Sequence, residues 1–243
     1  MSRWFLLLTA ALLLGAGAAD EACAQRVPDE EDILEKTFST ESPYYYPPMM
    51  VRYLAGDPTL TYEHYYYLYY GYAYDDDYDA HSALPGEDAI LEIFARTQDP
   101  SREEARQIIA AAKDNMLADP FNPGNINMMT FAYGILGDAE NEAVNADRFR
   151  KVTAAIESSG TGLKENSPWH ILRFTHANDL IASKGYKIAN RQVRSRSVEY
   201  VQLEKNSGGV KGYFFDYSRV YWKPYEGEPV KRKSKWMLND IPL

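Results

Sequence analysis

Apolar and polar positions along this chain change period once. From Gly86 to Ser159 the apolar residues recur every three to four positions, the spacing of helices buried on one face. Ile90, Leu91, Ile93 and Phe94 predict a short helix over 86–96. Ser101 and Glu104 form a capping box, and Ala105, Ile108, Ile109, Ala112 and Met116 carry the next helix to Asp119-Pro120. Two more helices follow, over 125–136, ended by Gly137, and over 139–159, with Ala143, Ala146, Phe149, Val152 and Ile156 inward. The turn at Leu136-Gly137-Asp138, with Ile126, Met129 and Tyr133 on the helix before it, predicts one tetratricopeptide-like hairpin. A repeat array needs about three such units.

Beyond Pro168 the spacing shortens. Strands are expected over 169–174, 186–192, 197–204 and 210–222, with a short helix over 177–184 and a turn at Asn206–Gly209. Before residue 86, Arg26 to Glu41 reads as an acidic arm or short helix. SPYYYPPMM (42–50), with three prolines, reads as an extended aromatic loop. Asp57-Pro58 starts a helix carrying YEHYYYLYYGYAY (62–74), eight tyrosines in thirteen positions. On that helix Tyr62, Tyr65, Tyr66 and Tyr69 share one face, and Tyr67, Tyr70 and Tyr74 another. A helix aromatic around most of its girth is expected to be buried on several sides. The other reading is a ligand platform, with Tyr65, Tyr69 and Tyr70 as binding candidates, since rings with polar tips suit sugars and interfaces. Helices first and antiparallel sheet second make the fold class α+β. The organisation expected is a signal peptide over 1–24, an acidic arm and aromatic loop over 25–57, a helical part over 58–160, an antiparallel β part of the same domain over 161–225, and a basic irregular tail over 226–243.

The N-terminus predicts where the chain goes. MSRWFLLLTAALLLGAGAADEACAQ has one basic residue, an apolar run from Trp4 to Ala19, and the small-x-small site Ala22-Cys23-Ala24. That is a secretory signal peptide cleaved after Ala24, so export to the periplasm or the cell exterior is expected. Cys23 is the chain's one cysteine, so the mature chain has neither disulfides nor a catalytic thiol. No later stretch is long and apolar enough to span a membrane.

Charge adds an asymmetry. The formal net charge is −9, yet residues 25–120 hold 7 basic against 20 acidic residues, and residues 121–243 hold 18 against 13. Either the two halves dock on each other or a basic face meets an anionic partner. Lys184, Lys187, Arg191, Arg194 and Arg196 fall in thirteen positions without an acid, and Lys231-Arg232-Lys233 with Lys235 adds a second cluster. Arg191, Arg194 and Arg196 are therefore binding candidates. A protein or an anionic glycan of the cell envelope fits better than nucleic acid, given export and the overall negative charge.

Candidate chemistry is sparse. The chain lacks GxSxG, P-loop, HExxH and cysteine-based metal spacings, and no cofactor is expected. Of the four histidines, His176 stands three residues before Asp179, a spacing that lets a carboxylate orient an imidazole. Glu199 and Asp216, each set among aromatic residues, are either a glycosidase-like carboxylate couple or partners of Arg191, Arg194, Arg196 or Arg219. Asp75-Asp76-Asp77-Tyr78-Asp79 offers oxygen donors for calcium but lacks the glycine and distal glutamate of an EF-hand loop, so it reads as an acidic turn. Ser158-Ser159-Gly160-Thr161-Gly162 follows a helix C-terminus, where the dipole repels phosphate, and reads as a cap.

SPYYYPPMMVRYLAGDPTLTYEHYYYLYYGYAY, LGDAENEA, AAIESSGTG and EYVQLEKNSGGVKGYFFDYSR together resemble a family of exported Bacteroidetes proteins described as domain of unknown function 4919. LYYGY (68–72), SSGTG (158–162) and GYFFD (212–216) carry the likeness best. The chain departs at His176-Ala177-Asn178-Asp179, where the family has His-Glu-Tyr-Asp. The resemblance implies export and helices before sheet, and no activity. Three readings follow: a non-enzymatic envelope protein that binds a partner, a glycan-directed hydrolase using His176, Asp179, Glu199 and Asp216, and a small-ligand or sugar module built on the tyrosines.

Overall fold

In a computed structural model the chain is described over residues 25–97 and 99–221, with two paired two-residue strands at Met237–Leu238 and Ile241–Pro242. Residues 1–24, expected to be a signal peptide, and most of the expected basic tail, including Lys231–Lys235, lie outside the described residues. Eight helices and a four-stranded sheet make the described part α+β.

Helix α1, Glu30–Phe38, starts at Asp29, whose side chain accepts from the Asp32 N–H. Helix α2, Tyr46–Leu54, occupies the stretch expected to be an aromatic loop. Pro47 and Pro48 sit in its first turn, where no backbone donor is needed, so they favour the helix rather than break it. Helix α3, Tyr62–Gly71, begins at Thr61 and not at Asp57: Thr61 and His64 form a reciprocal cap. Asp57 instead closes the preceding turn, accepting from the Thr59 N–H at 2.8 Å and from Arg52 Nε at 2.7 Å. A 3₁₀ turn, Tyr72–Tyr74, follows.

Helices α4 (Glu87–Arg96), α5 (Arg102–Ala118), α6 (Pro123–Leu136) and α7 (Ala139–Glu157) stack in sequence, and α7 returns to pack on α3. The hairpin at Leu136–Asp138 is thus one turn in a run of four helices, with Gly137 in the left-handed conformation at φ 71°. The inward face of α7 differs from the one expected. Asn145, Arg148, Lys151, Val152, Ala155 and Ile156 are buried, whereas Ala143 and Ala146 are exposed. Hydropathy misplaces this face because the buried cations serve backbone carbonyls. Arg148 Nη2 donates to Tyr53 O at 2.6 Å and Leu54 O at 2.9 Å, at the end of α2 where carbonyls have no helical partner. Lys151 Nζ donates to Leu60 O at 2.5 Å.

The sheet contains β1 (Trp169–His170), β2 (Ile188–Val193), β3 (Val198–Leu203) and β4 (Gly212–Asp216), ordered β1-β4-β3-β2. It is mixed rather than antiparallel, since β1 runs parallel to β4. The strand expected over 169–174 stops after His170, because the Leu172 N–H turns to the Tyr69 hydroxyl and Arg173 becomes the N-cap of α8, Phe174–Ser183.

The three stretches that carry the family likeness meet at β1. Tyr70 Oη donates to His170 O at 3.0 Å, and Phe214 N donates to Gly162 O at 2.7 Å. Trp169 Nε1 donates to Gly160 O at 3.0 Å. A Cβ on Gly160 would lie 2.2 Å from Pro168 O, so only glycine lets the two backbones approach this closely. One core runs beneath α1–α3, α7, α8 and the sheet, and a smaller one fills the space between α4, α5 and α6.

Candidate functional site

A network of polar side chains is buried at the junction of α3, α5, α6 and α8. His176 Nε2 lies 3.0 Å from Asp119 Oδ2, and its Nδ1 lies 2.8 Å from the Tyr69 hydroxyl. A carboxylate can only accept, so Nε2 carries a proton toward Asp119, and the Tyr69 oxygen also accepts the Leu172 N–H at 3.2 Å. The imidazole is thus hydrogen-bonded at both ring nitrogens. Arg173 Nε stands 3.5 Å from Asp119 Oδ2, and Asn122 Nδ2 donates to the same oxygen at 3.2 Å. Burial alone would raise the Asp119 carboxyl, but His176, Arg173 and Asn122 outweigh it and hold it below its ordinary range. Burial pushes the Tyr69 phenol well above its usual value.

This Tyr-His-Asp chain has the connectivity of a nucleophile, base and orienting acid. It is also sealed: Tyr69 is 0 % exposed and His176 1 %. Arg173 adds bonds to Ser82 O, Asp79 O and Ser82 Oγ, so the group ties the 79–82 loop to α5 and α8. It joins four elements through buried polar side chains, with Asp119 Oδ1 and Arg173 Nε left without a hydrogen bond among the described residues.

Asp179 does not join His176 as a close pair. Its carboxyl sits over Gly124 in the first turn of α6, where a Cβ would lie 2.6 Å from Oδ1. Burial raises this carboxyl to about 6, opposed by His176 and by the Gly124 N–H. The spacing of His176 and Asp179 is helical, as read from the sequence, but each side chain meets a different neighbour.

Glu199 and Asp216 are not a couple either. Asp216 is registered with Val198, and Glu199 with Phe215, so the two carboxylates lie on opposite faces of the sheet. Glu199 Oε2 accepts from Arg191 Nη1 at 2.6 Å and from Tyr217 Oη at 2.7 Å, while Arg191 also bonds Asn178 on α8. Asp216 accepts from Ser197 Oγ at 3.1 Å and the Ser218 N–H at 2.7 Å. His170 Nδ1 is 3.7 Å away, its imidazole lowered by burial against the pull of Asp216.

The three candidate tyrosines face inward, whereas Tyr62 at the start of α3 is exposed. Tyr65 is 2 % exposed and Tyr70 0 %, and with Tyr69 they cannot offer coplanar rings to solvent. Gly71 permits this packing, since a Cβ there would touch Thr37 Cγ2 at 3.0 Å and the Tyr46 ring at 3.1 Å. Of the three candidate arginines, Arg191 is half-buried in its ion pair, whereas Arg194 and Arg196 are exposed at the tip of the β2–β3 hairpin. Among the described residues neither has a carboxylate partner. The Arg194 guanidinium lies over the Tyr200 ring at 5.4 Å.

Residue patterns in the sequence pointed to His176 but missed Asp119, Tyr69, Asn122 and Arg173. Asp119 had been legible only as part of a helix stop. Among the described residues no three His, Cys, Asp or Glu side chains group to hold a metal, and no helix is long and apolar enough to cross a membrane. The acidic run 75–79 forms local turns, with Asp75 Oδ1 taking the Asp77 N–H and Asp79 Oδ1 the His81 N–H.

No curated protein and no solved structure matches this chain. One family model does, over residues 31–224, which spans α1 through the sheet and includes every polar cluster described above. The chain belongs to the family described as domain of unknown function DUF4919.

Proposed function

We propose that this chain is an exported, non-enzymatic binding protein that holds an anionic glycan against the tip of its β2–β3 hairpin. The observation that carries the reading is a contrast. His176, Asp179, Glu199 and Asp216 are each engaged separately, while Arg194 and Arg196 stand exposed with no acidic partner among the described residues. A guanidinium beside the Tyr200 ring suits a sugar acid, which presents a carboxylate and an apolar ring face together. A hydrolase reading needs two carboxylates flanking one bond, and opposite sheet faces do not supply that. Export rests on the signal-like N-terminus.

Retention of residues 25–243 on immobilised polygalacturonate, eluted with salt, tests the reading against a neutral glucan column. Arg194→Ala with Arg196→Ala should elute at markedly lower salt. Equal elution of variant and parent, or release of reducing ends from the polymer, would overturn it. N-terminal sequencing of protein recovered from the host envelope should begin at Gln25.

A further inference from the structure

Gln25 and Arg26 are already part of the fold. The Arg26 N–H donates to Ser158 O at 2.7 Å, at the C-cap of α7. Its guanidinium pairs with Asp32 at 2.5 Å, bonds the Tyr67 hydroxyl at 2.6 Å and lies over the Tyr66 ring at 4.3 Å. Gln25 Nε2 donates to Ser167 Oγ at 2.9 Å, yet the residue as a whole is exposed. Cleavage after Ala24, expected from the sequence, makes this exposed glutamine the first residue of the chain. It then carries an α-amine and a carboxamide on the same residue. An ordinary α-amine titrates at about 8, against about 10.4 for lysine, so at neutral pH it holds far more of the free, nucleophilic base.

We propose that Gln25 is a modification site: once the signal segment is removed, its side chain closes on its own α-amine to a pyroglutamyl ring. In this it rests on export and on cleavage after Ala24. The α-nitrogen attacks Cδ and forms the lactam C–N bond. The Cδ–Nε2 bond breaks, and Nε2 leaves as ammonia with the proton that the α-nitrogen gives up. The ring has five members, nothing is oxidised or reduced, and no co-reactant is consumed. The fold accepts the product. Only the Nε2 donor is lost, and Ser167 Oγ keeps the Thr161 N–H at 2.8 Å, so the serine proton is free for the lactam carbonyl. The bond from the Arg26 N–H to Ser158 O belongs to the next residue and stays. Closure removes a positive charge beside Arg26 and leaves no free amine for an aminopeptidase. Loss of Arg26 to such an enzyme would strip Asp32 and Tyr67 of their guanidinium.

The test is the intact mass of the protein recovered from the host envelope, with fragmentation of its N-terminal peptide after digestion at Glu30. The expected chain is residues 25–243 less one ammonia, with the loss confined to Gln25. A chain that begins at Gln25 with its full mass overturns the cyclisation and leaves export standing. A chain that begins at any other residue overturns both. The recovered protein should also survive a broad-specificity aminopeptidase intact, whereas residues 25–243 freshly freed from an N-terminal fusion, and still uncyclised, should be shortened. Equal resistance of the two would overturn the protective role of the ring.

Discussion

The Tyr69 hydroxyl lies 2.8 Å from Nδ1 of His176, across 107 residues of chain. That contact joins α3 to α8, and through His176 Nε2 it reaches Asp119 at the end of α5. Tyr69 also accepts the N–H of Leu172, the residue at which the chain leaves β1. One phenol thus decides where a strand stops and where a histidine is held.

Tyr69→Phe keeps the ring but leaves the Leu172 N–H and His176 Nδ1 buried without partners. Each unsatisfied group costs roughly 1–3 kcal/mol, so a loss of about 2–4 kcal/mol is expected in urea unfolding. Asp119→Ala should cost about 3–5 kcal/mol, because the Arg173 guanidinium would stay buried without its counter-charge. A loss under about 1 kcal/mol for both variants would show that the network is not rigidly held.

Asp119 and Asp179 should leave opposite marks on the pH dependence of stability. Asp119 is held below the ordinary carboxylate range, chiefly by His176 and Arg173 against the effect of burial. Its contribution is complete above the unfolded value near ~4 and is lost as pH falls through its lower folded value. Asp179 is raised to about 6 by burial. Its ionisation therefore disfavours the fold as pH rises from ~4 to about 6, and the cost is full above that. Asp179→Asn, which retains an acceptor for the Gly124 N–H, should gain roughly 1–2 kcal/mol at pH 8 once partial exposure is allowed for. It should gain nothing at pH 3.5. Urea midpoints at the two pH values decide the matter.

Burial raises the phenols of Tyr65, Tyr66, Tyr69, Tyr70 and Tyr72, Tyr66 to about 12. Raised phenol values make the fold lose stability as pH climbs above the unfolded value of ~10. Absorbance at 295 nm should rise for the exposed tyrosines first, then in one cooperative step coincident with loss of helical circular dichroism. A smooth titration of all twenty phenols without unfolding would contradict this burial.

Two glycines should separate backbone strain from steric exclusion. Gly137 has φ 71° and open space where a Cβ would go, so Gly137→Ala should cost about 1–2 kcal/mol. Gly160 has an ordinary φ but a carbonyl 2.2 Å from its Cβ position. Gly160→Ala should therefore cost distinctly more, parting the 158–162 loop from β1. A thermal melt of each variant checks the order.

The α+β class, helices α4 to α7, the β2–β3–β4 meander and the burial of the tyrosine helix were legible along the chain. Each depends on spacing or caps within a few residues: Ser101 with Glu104, Gly137 after Leu136, alternation through Val198–Leu203. Local misreadings came from residues with two uses. Pro47 and Pro48 break helices in general but suit a first turn. Arg148 and Lys151 are cations by composition but serve buried carbonyls here.

By itself, the order of residues determined which elements form, because caps, turns and hydrophobic period act over three or four positions. Tertiary structure alone decided which polar groups meet. His176 finds Asp119 and Tyr69, not Asp179; Glu199 finds Arg191 and Tyr217, not Asp216. The reason is geometric. Partners 57 or 107 residues apart are brought together only when helices pack. A one-position difference in sheet register likewise places two neighbouring carboxylates on opposite faces. The eight tyrosines of residues 62–74 announced a buried helix along the chain; that Tyr65 ends at a recess is a property of α7 lying across it.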